Sequence, residues 1–318
     1  MCTAIRIGSF AGRNLDIDKD YGGEIIVTPR NYQLTFKHSE GIGQHYAIIG
    51  MGAVNNAYPL YFDALNEYGL YATGLNYVGN AKYHSARDGK INLAPYELIP
   101  YILSKCATTS EAKRELEEIN LIGVPFSPTL NTAELHFFIA DKESSIVVES
   151  DADNLHIYDN PADVLTNNPP FPVQLLNLSK YMGLSASAPK NTFSPSLKLE
   201  KYSHGMGAIG LPGDLSSDSR FVRAVFHRAN NRGAGLATLF HILSSVAMPD
   251  GSVKTDSGFE RTEYSIGADL VNLIYSYRHY DGLSTHAVKM SDTDIDGSIL
   301  VTYGIVKDSA PIFQGASR

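Results

Sequence analysis

The residues that could do chemistry in this chain begin at its start. The first sixteen read MCTAIRIGSFAGRNLD, with Cys2 directly behind Met1. An initiator methionine is expected to be excised when the next residue is small, which would leave Cys2 with a free α-amine and a thiol on one residue. Reference pKa values near ~8 for the amine and ~8.5 for the thiol let both change protonation close to neutral pH, and the thiolate is the attacking form. An N-terminal amine acting as base is a recognised way to activate such a nucleophile. Arg13, Asn14, Leu15 and Asp16 follow shortly after. A strand over Thr3 to Phe10 and a turn at Gly12 would return this segment beside Cys2. Arg13 would then favour the thiolate, and Asp16 would hold the amine. The plainer alternative is an incidental buried thiol with a surface Arg–Asp pair.

The elements that must position these groups are legible in outline. Short strands with turns fill the first third: Glu24 to Thr28, His45 to Met51, and Tyr68 to Tyr77. Pro95 to Lys105 carries Leu98, Ile99, Ile102 and Leu103 at helical spacing, and Thr108 with Glu111 reads as a capping box for a second helix through Ile119. A loop rich in Pro and apolar residues occupies 121–131. Strands return over Leu135 to Ala140, Ser145 to Glu149 and Leu155 to Tyr158, and a fourth ends in a turn near Asp163 to Pro170. Helices are expected over Pro172 to Met182, Asp218 to Ala229 and Gly235 to Met248, with strands over Thr262–Ile266, Val271–His279, Thr285–Met290 and Ile299–Val306. Strands, then helices, then strands suggest one α+β domain with helices covering sheet faces.

Composition narrows the function. The 318 residues are 43% hydrophobic and carry a net charge of −8, which argues against a nucleic-acid partner. Nowhere do about 18 apolar residues run together, so no membrane span is expected. Two cysteines, Cys2 and Cys106, make no disulfide framework and point to a reducing compartment. Gly205-Met-Gly207-Ala-Ile-Gly210 fits a nucleotide-loop pattern but runs into Pro212 instead of opening a helix. Asp292-Thr-Asp294-Ile-Asp296-Gly297 opens like a calcium loop, yet its twelfth position is Tyr303 where a glutamate is needed. The histidines do not cluster at ligand spacing, so neither metal nor cofactor is expected.

Amide hydrolysis by a thiolate also needs donors where the oxyanion forms. Asn76 at a strand end and Asn167 in a turn could supply them, although asparagine is also an ordinary turn former. Arg220 stands in the first turn of an expected helix, where a cation opposes the helix dipole. It therefore calls for an anionic partner, and Asp214 or Asp218 nearby is the plain account.

Taken in order, several segments resemble the choloylglycine hydrolase family of N-terminal-nucleophile hydrolases, which comprises bile salt hydrolases and penicillin V acylases. They are Met-Cys-Thr at the start, 12–16 (GRNLD), 28–32 (TPRNY), 66–70 (NEYGL), 74–76 (GLN), 164–169 (VLTNNP), 210–217 (GLPGDLSS) and 219–223 (SRFVR). The resemblance runs from residue 1 to roughly 305. It implies a four-layer αββα sandwich, an α+β fold forming a single domain over 1–318 with Met1 removed. It implies Cys2 as nucleophile with its own amine as base, Arg13 and Asp16 holding it, Asn76 and Asn167 near the oxyanion, and Arg220 completing the site. Asn in place of Tyr at 76 favours conjugated bile acids over penicillin V. His204 lies in a loop associated with the choice between glycine and taurine, and Leu15, Phe126, Leu130 and Leu135 are candidate walls for a steroid body. The resemblance further implies a cytoplasmic homotetramer. A penicillin V or N-acyl homoserine lactone acylase, by the same mechanism, is the alternative within the class. A non-catalytic small-molecule binding protein is the alternative outside it.

Overall fold

A tight turn at Gly8 and Ser9 starts the fold. Gly8 takes φ +56°, which costs a residue without Cβ little, and lets β1 (Cys2–Ile7) double back antiparallel onto β2 (Phe10–Ile17). This corrects the turn expected at Gly12. Gly12 lies inside β2, where a Cβ would stand 2.1 Å from the Ile266 carbonyl oxygen and 2.9 Å from the Leu239 side chain. It is a glycine because two layers close on it.

The computed structural model describes residues 1–19 and 21–314; Asp20 and 315–318 lie outside the described residues. The chain continues through β3 (Glu24–Thr28), β4 (Ile48–Asn55), β5 (Tyr58–Asn66), β6 (Tyr71–Asn76) and β7 (Ile91–Leu93). Helices α1 (Leu98–Lys105) and α2 (Thr109–Glu117) follow, then β8 (Ile119–Leu121), β9 (Leu135–Ala140), β10 (Ser145–Ser150), β11 (Leu155–Asp159) and β12 (Val164–Leu165). The last third holds α3 (Phe171–Asn177), α4 (Ser217–Ala229), α5 (Leu236–Ser244), β13 (Val253–Lys254), β14 (Phe259–Asp269), β15 (Ile274–His279), β16 (His286–Lys289) and β17 (Val301–Tyr303).

Two antiparallel sheets result. One has the order β12-β1-β2-β14-β15-β16, with β13 on β14; the other runs β11-β10-β9-β6-β5-β4-β3-β17. Helices α4 and α5 cover the first sheet, while α1 and α2 lie on the outer face of the second. The order is helix, sheet, sheet, helix, the αββα sandwich. Alternation along β2 shows how the layers are addressed. Asn14 donates outward to the Leu243 carbonyl of α5 at 2.9 Å, whereas Arg13 reaches inward to Thr73 of the opposite sheet at 2.8 Å. Among the described residues no helix is long and apolar enough to cross a membrane.

Several element boundaries differ from the sequence reading. The first apolar run becomes strand only from Ile48. Helix α2 stops at Glu117, because Ile119 pairs in parallel with Ile91. Its cap is half a capping box. Thr108 accepts from the Glu111 amide at 3.2 Å, but the Glu111 carboxylate takes the Ala107 amide instead of that of Thr108. Four strands, β5, β7, β8 and β13, were not expected. Two of the shared motifs hold sheet connections in place. Arg30 of the 28–32 segment pairs with Glu67, which also accepts the Ala47 amide at 2.8 Å. Asn66 donates to the carbonyls of Leu103 and Cys106 at 2.8 and 2.7 Å, tying α1 to the β5–β6 turn.

Candidate active site

The register of the first hairpin assembles the site. Cys2 stands opposite Leu15, and Ala4 opposite Arg13, so all four side chains face the space between the sheets. The Arg13 guanidinium is fully buried and pinned by the second sheet. Nη1 donates to Thr73 Oγ1 at 2.8 Å, Gly74 O at 2.9 Å and Phe62 O at 3.1 Å, which leaves Nη2 to donate to Cys2 Sγ at 2.5 Å. A fixed cation donating to sulfur favours the thiolate. Burial alone would lower the Arg13 pKa, but Cys2, Tyr264 and Asp63 outweigh it and hold the group above its ordinary value.

Arg220 approaches from α4 on the other side of the first sheet, also fully buried. Nη1 donates to Cys2 O and to Thr3 Oγ1, each at 2.6 Å; Nη2 donates to Asn167 Oδ1 at 2.8 Å, and Nε to Leu215 O at 3.0 Å. The anionic partner that its position demanded is Asp16 on β2, at 3.8 Å, and not the local Asp214 or Asp218. Asp214 is spent on capping. It accepts from the Ser216 amide and the Ser219 hydroxyl, and the Ser216 and Ser219 hydrogen bonds pull its carboxyl down to about 2. Asp16 itself has one oxygen met by the Thr262 hydroxyl at 2.6 Å, while Oδ2 is buried with no hydrogen-bond partner. Burial raises this carboxyl above the usual range, and the Arg220 charge opposes that rise.

Asn167 joins these groups. Its Oδ1 accepts from the Cys2 amide nitrogen at 2.8 Å as well as from Arg220. Its Nδ2 donates one hydrogen to Asn76 O at 2.8 Å, leaving the second uncommitted. Asn76 thus contributes its backbone to the cluster. Its side chain, at the end of β6, is exposed and has no hydrogen-bond partner among the described residues.

Behind Asn167 sits a support that sequence reasoning missed. The Ser217 hydroxyl accepts the Asn167 amide at 2.8 Å, and Gln174 caps the Asn167 carbonyl. His136 and Glu149, both buried, brace the preceding residue. His136 Nε2 meets Thr166 O at 2.9 Å, and because a carbonyl only accepts, that nitrogen carries a hydrogen. Nδ1 meets Glu149 Oε1 at 3.0 Å, and the same oxygen accepts the Phe171 amide at 3.0 Å. The ring stacks on Tyr77 with centroids 4.5 Å apart. The available signal was one histidine and one glutamate, each inside an otherwise apolar strand.

The structure brings Cys2, Arg13, Asp16, Asn167 and Arg220 into one buried knot. Leu15 lies beside Cys2 and helps line a cleft of about 60 Å³ between the sheets. Leu135 pairs with Asn76 across β9 and β6. Phe126 packs against Tyr58 and Tyr96 with ring centroids 5.8 and 5.2 Å away, Leu130 closes a small turn with Ser127, and His204 is exposed in the 183–210 segment. None of these last three touches the knot through a hydrogen bond. No group of three or more His, Cys, Asp or Glu among the described residues could hold a metal.

Known proteins share this fold and much of this sequence. The model of the choloylglycine hydrolase family, linear amide C–N hydrolases, matches residues 2–303. A bile salt hydrolase/transferase from Lactiplantibacillus plantarum is 44% identical over 312 residues, covering 95% of this chain and 96% of that protein. One from Bifidobacterium longum is 36% identical over 315 residues, with 95% and 99% coverage. The C2A mutant of a conjugated bile acid hydrolase from Clostridium perfringens superposes with a TM-score of 0.93 at 31% identity, covering 99% of this chain and 100% of that one. A penicillin V acylase from Agrobacterium tumefaciens shares the fold, with a TM-score of 0.76 at 20% identity.

Proposed function

This chain belongs to the choloylglycine hydrolase family and is a hydrolase of linear amide C–N bonds, and on that premise we propose that it deconjugates bile salts, releasing glycine or taurine. The observation that carries the reading is the treatment of one residue. The Cys2 sulfur takes a guanidinium hydrogen at 2.5 Å, and its nitrogen is held at 2.8 Å by Asn167. After removal of Met1 that nitrogen is the α-amine, already aimed at an acceptor. The unpartnered Asp16 Oδ2 is a second acceptor for an ammonium there. In the unprocessed chain the Met1 ammonium instead rests on Asp16 O at 2.6 Å and Glu260 Oε1 at 2.7 Å.

In the proposed reaction Cys2 Sγ attacks the amide carbonyl, with its proton passing to the amine. The free hydrogen on Asn167 Nδ2 and the exposed Asn76 amide stabilise the oxyanion. The C–N bond breaks as the amine hands its proton to the departing nitrogen. Water then adds to the thioester carbonyl and the C–S bond breaks, returning the thiol and releasing the free bile acid. Arg13 holds sulfur and Asp16 holds the amine, while Arg220 fixes the Cys2 carbonyl. The cleft beside Leu15, lined by Ile17, Met51 and Phe62 and edged by Glu263 and His279, offers an apolar wall next to the nucleophile; at about 60 Å³ it takes only an edge of a steroid body and does not enclose the whole of it.

Two further expectations belong to this reading. Assembly into a homotetramer follows from the family resemblance, and exposed Leu176, Met182, Phe193 and Tyr202 offer apolar surface for it. Two unpaired thiols, Cys2 and Cys106, suit a reducing cytoplasm.

The test is release of glycine and taurine from glycocholate and taurocholate, with penicillin V and an N-acyl homoserine lactone alongside. Rapid release, lost in Cys2→Ala, is expected. Turnover of penicillin V or the lactone alone would move the chain to an acylase substrate. An intact mass that retains Met1, with no turnover of any of them, would favour the binding-protein reading.

A further inference from the structure

Asp63 lies in β5, fully buried between the sheets, and no step above uses it. Each carboxyl oxygen is met by a tyrosine hydroxyl, Tyr275 on Oδ1 at 2.5 Å and Tyr264 on Oδ2 at 3.1 Å. The Met51 amide donates to the Tyr275 oxygen at 3.1 Å, so that hydroxyl has its own hydrogen free for Asp63. Two donors suit a carboxylate. The neighbouring carbonyl, Phe62 O, accepts from Arg13 Nη1, and the far end of the same guanidinium donates to Cys2 Sγ. Cys2 from β1, Arg13 from β2, Tyr71 from β6, Tyr264 from β14 and Tyr275 from β15 therefore surround one charge system, in which Arg13 is the cation.

We propose that Asp63 is a positioning residue, the internal counter-charge of Arg13, which divides that cation between itself and the Cys2 sulfur and so sets how much of Cys2 stands as thiolate. With Asp63 ionised, its negative charge opposes a second one on sulfur. With Asp63 neutral, the whole field of Arg13 falls on sulfur. Burial pushes the Asp63 carboxyl up to about 6 against the restraint of Arg13 and the two tyrosines, so the change between these states falls in the weakly acidic range.

The inference rests on Cys2 as nucleophile, not on any substrate. Its test is the pH dependence of iodoacetamide alkylation at Cys2, read on the N-terminal peptide by mass so that Cys106 does not contribute. In Asp63→Asn the alkylation midpoint moves down by about one pH unit, the size expected for loss of one nearby charge. On the acid side of the midpoint this is a rate about tenfold higher. Tyr264→Phe, which removes one donor from a carboxylate that stays charged, leaves that charge more fully exposed to sulfur and moves the midpoint the other way by less. A midpoint that stays put in folded Asp63→Asn overturns the proposal. Should that variant not fold, an unmoved midpoint in Tyr264→Phe does the same. A residue that served only packing would change the yield of folded protein and leave the midpoint alone. Because alkylation needs no substrate, failed bile salt turnover leaves this result standing.

Discussion

Asp63 should leave a mark on stability as well as on sulfur. Its carboxyl is pushed from an ordinary 3.8 up to about 6 by burial, with Arg13, Tyr275 and Tyr264 holding the rise in check. A carboxyl whose folded pKa is raised binds its proton more tightly when folded than when unfolded. The native state therefore carries more protons between about pH 4 and pH 6, and stability falls as pH rises through that window. A difference of about 2 units at about 1.4 kcal/mol each amounts to roughly 3 kcal/mol lost from the acid side to neutrality. Asp63→Asn has no proton to lose at that site and should escape this loss. Urea unfolding of both proteins at pH 4, 5, 6 and 7 isolates the effect, since titrations away from the Arg13–Cys2 pair cancel in the difference. The variant should gain about 2 kcal/mol on the wild type between pH 4 and pH 7, because part of the loss already lies below pH 4. A flat difference would mean that Asp63 is not desolvated as the structure has it. A difference of opposite sign would mean that Arg13 holds the carboxylate below its usual range, and the reasoning would fail.

Other perturbations read other parts of the site. Thr262→Val keeps the shape but strips the donor from Asp16 Oδ1 and the acceptor from the Met248 amide, so it should cost about 3 kcal/mol by denaturant melting; a change under 1 would show that neither partner depends on it. Gly12→Ala drives a Cβ to 2.1 Å from the Ile266 carbonyl and should prevent accumulation of soluble folded protein, which circular dichroism and yield would report. His136→Leu removes the donor to Thr166 O and leaves buried Glu149 with the Phe171 amide but no side-chain partner in place of the ring, so kcat should fall well over tenfold with KM little changed, and melting should drop by about 3 kcal/mol. Burial, with Glu115 and Glu111 nearby, pushes the Cys106 thiol up to about 12, so alkylation of native protein at pH 8 should label Cys2 and spare Cys106.

Most of the site was legible because each member carries a local anomaly. Cys2 stands out by its place in the chain. Arg220 stands out by sitting against the helix dipole, although its partner Asp16 lies far away in sequence and comes within 3.8 Å only when α4 docks on the first sheet. Asn167 could be named as a candidate oxyanion donor, but its tie to the Cys2 amide and to Arg220 was not legible, since asparagine in a turn needs no further reason. Asp63 and His136 were not legible. Both sit in strands buried on each face, where the period-two alternation that reveals a half-exposed strand is absent. Gly12 was read as a turn because the pressure of Ile266 and Leu239 on it comes from residues more than two hundred positions away.

What the sequence alone determined is the list of reactive groups and the type of most elements. Those follow from side-chain chemistry and from spacing within a few residues. It also carried the family, through motifs kept in order along nearly the whole chain. Tertiary structure decided which groups touch. Arg13 reaches Cys2 because β1 and β2 pair in one register and not another, and Asp63 reaches Arg13 because two separate sheets close face to face. Neither is written in local sequence, because register and stacking are settled by the burial of whole faces at once. The charge balance around sulfur is therefore a property of the closed sandwich.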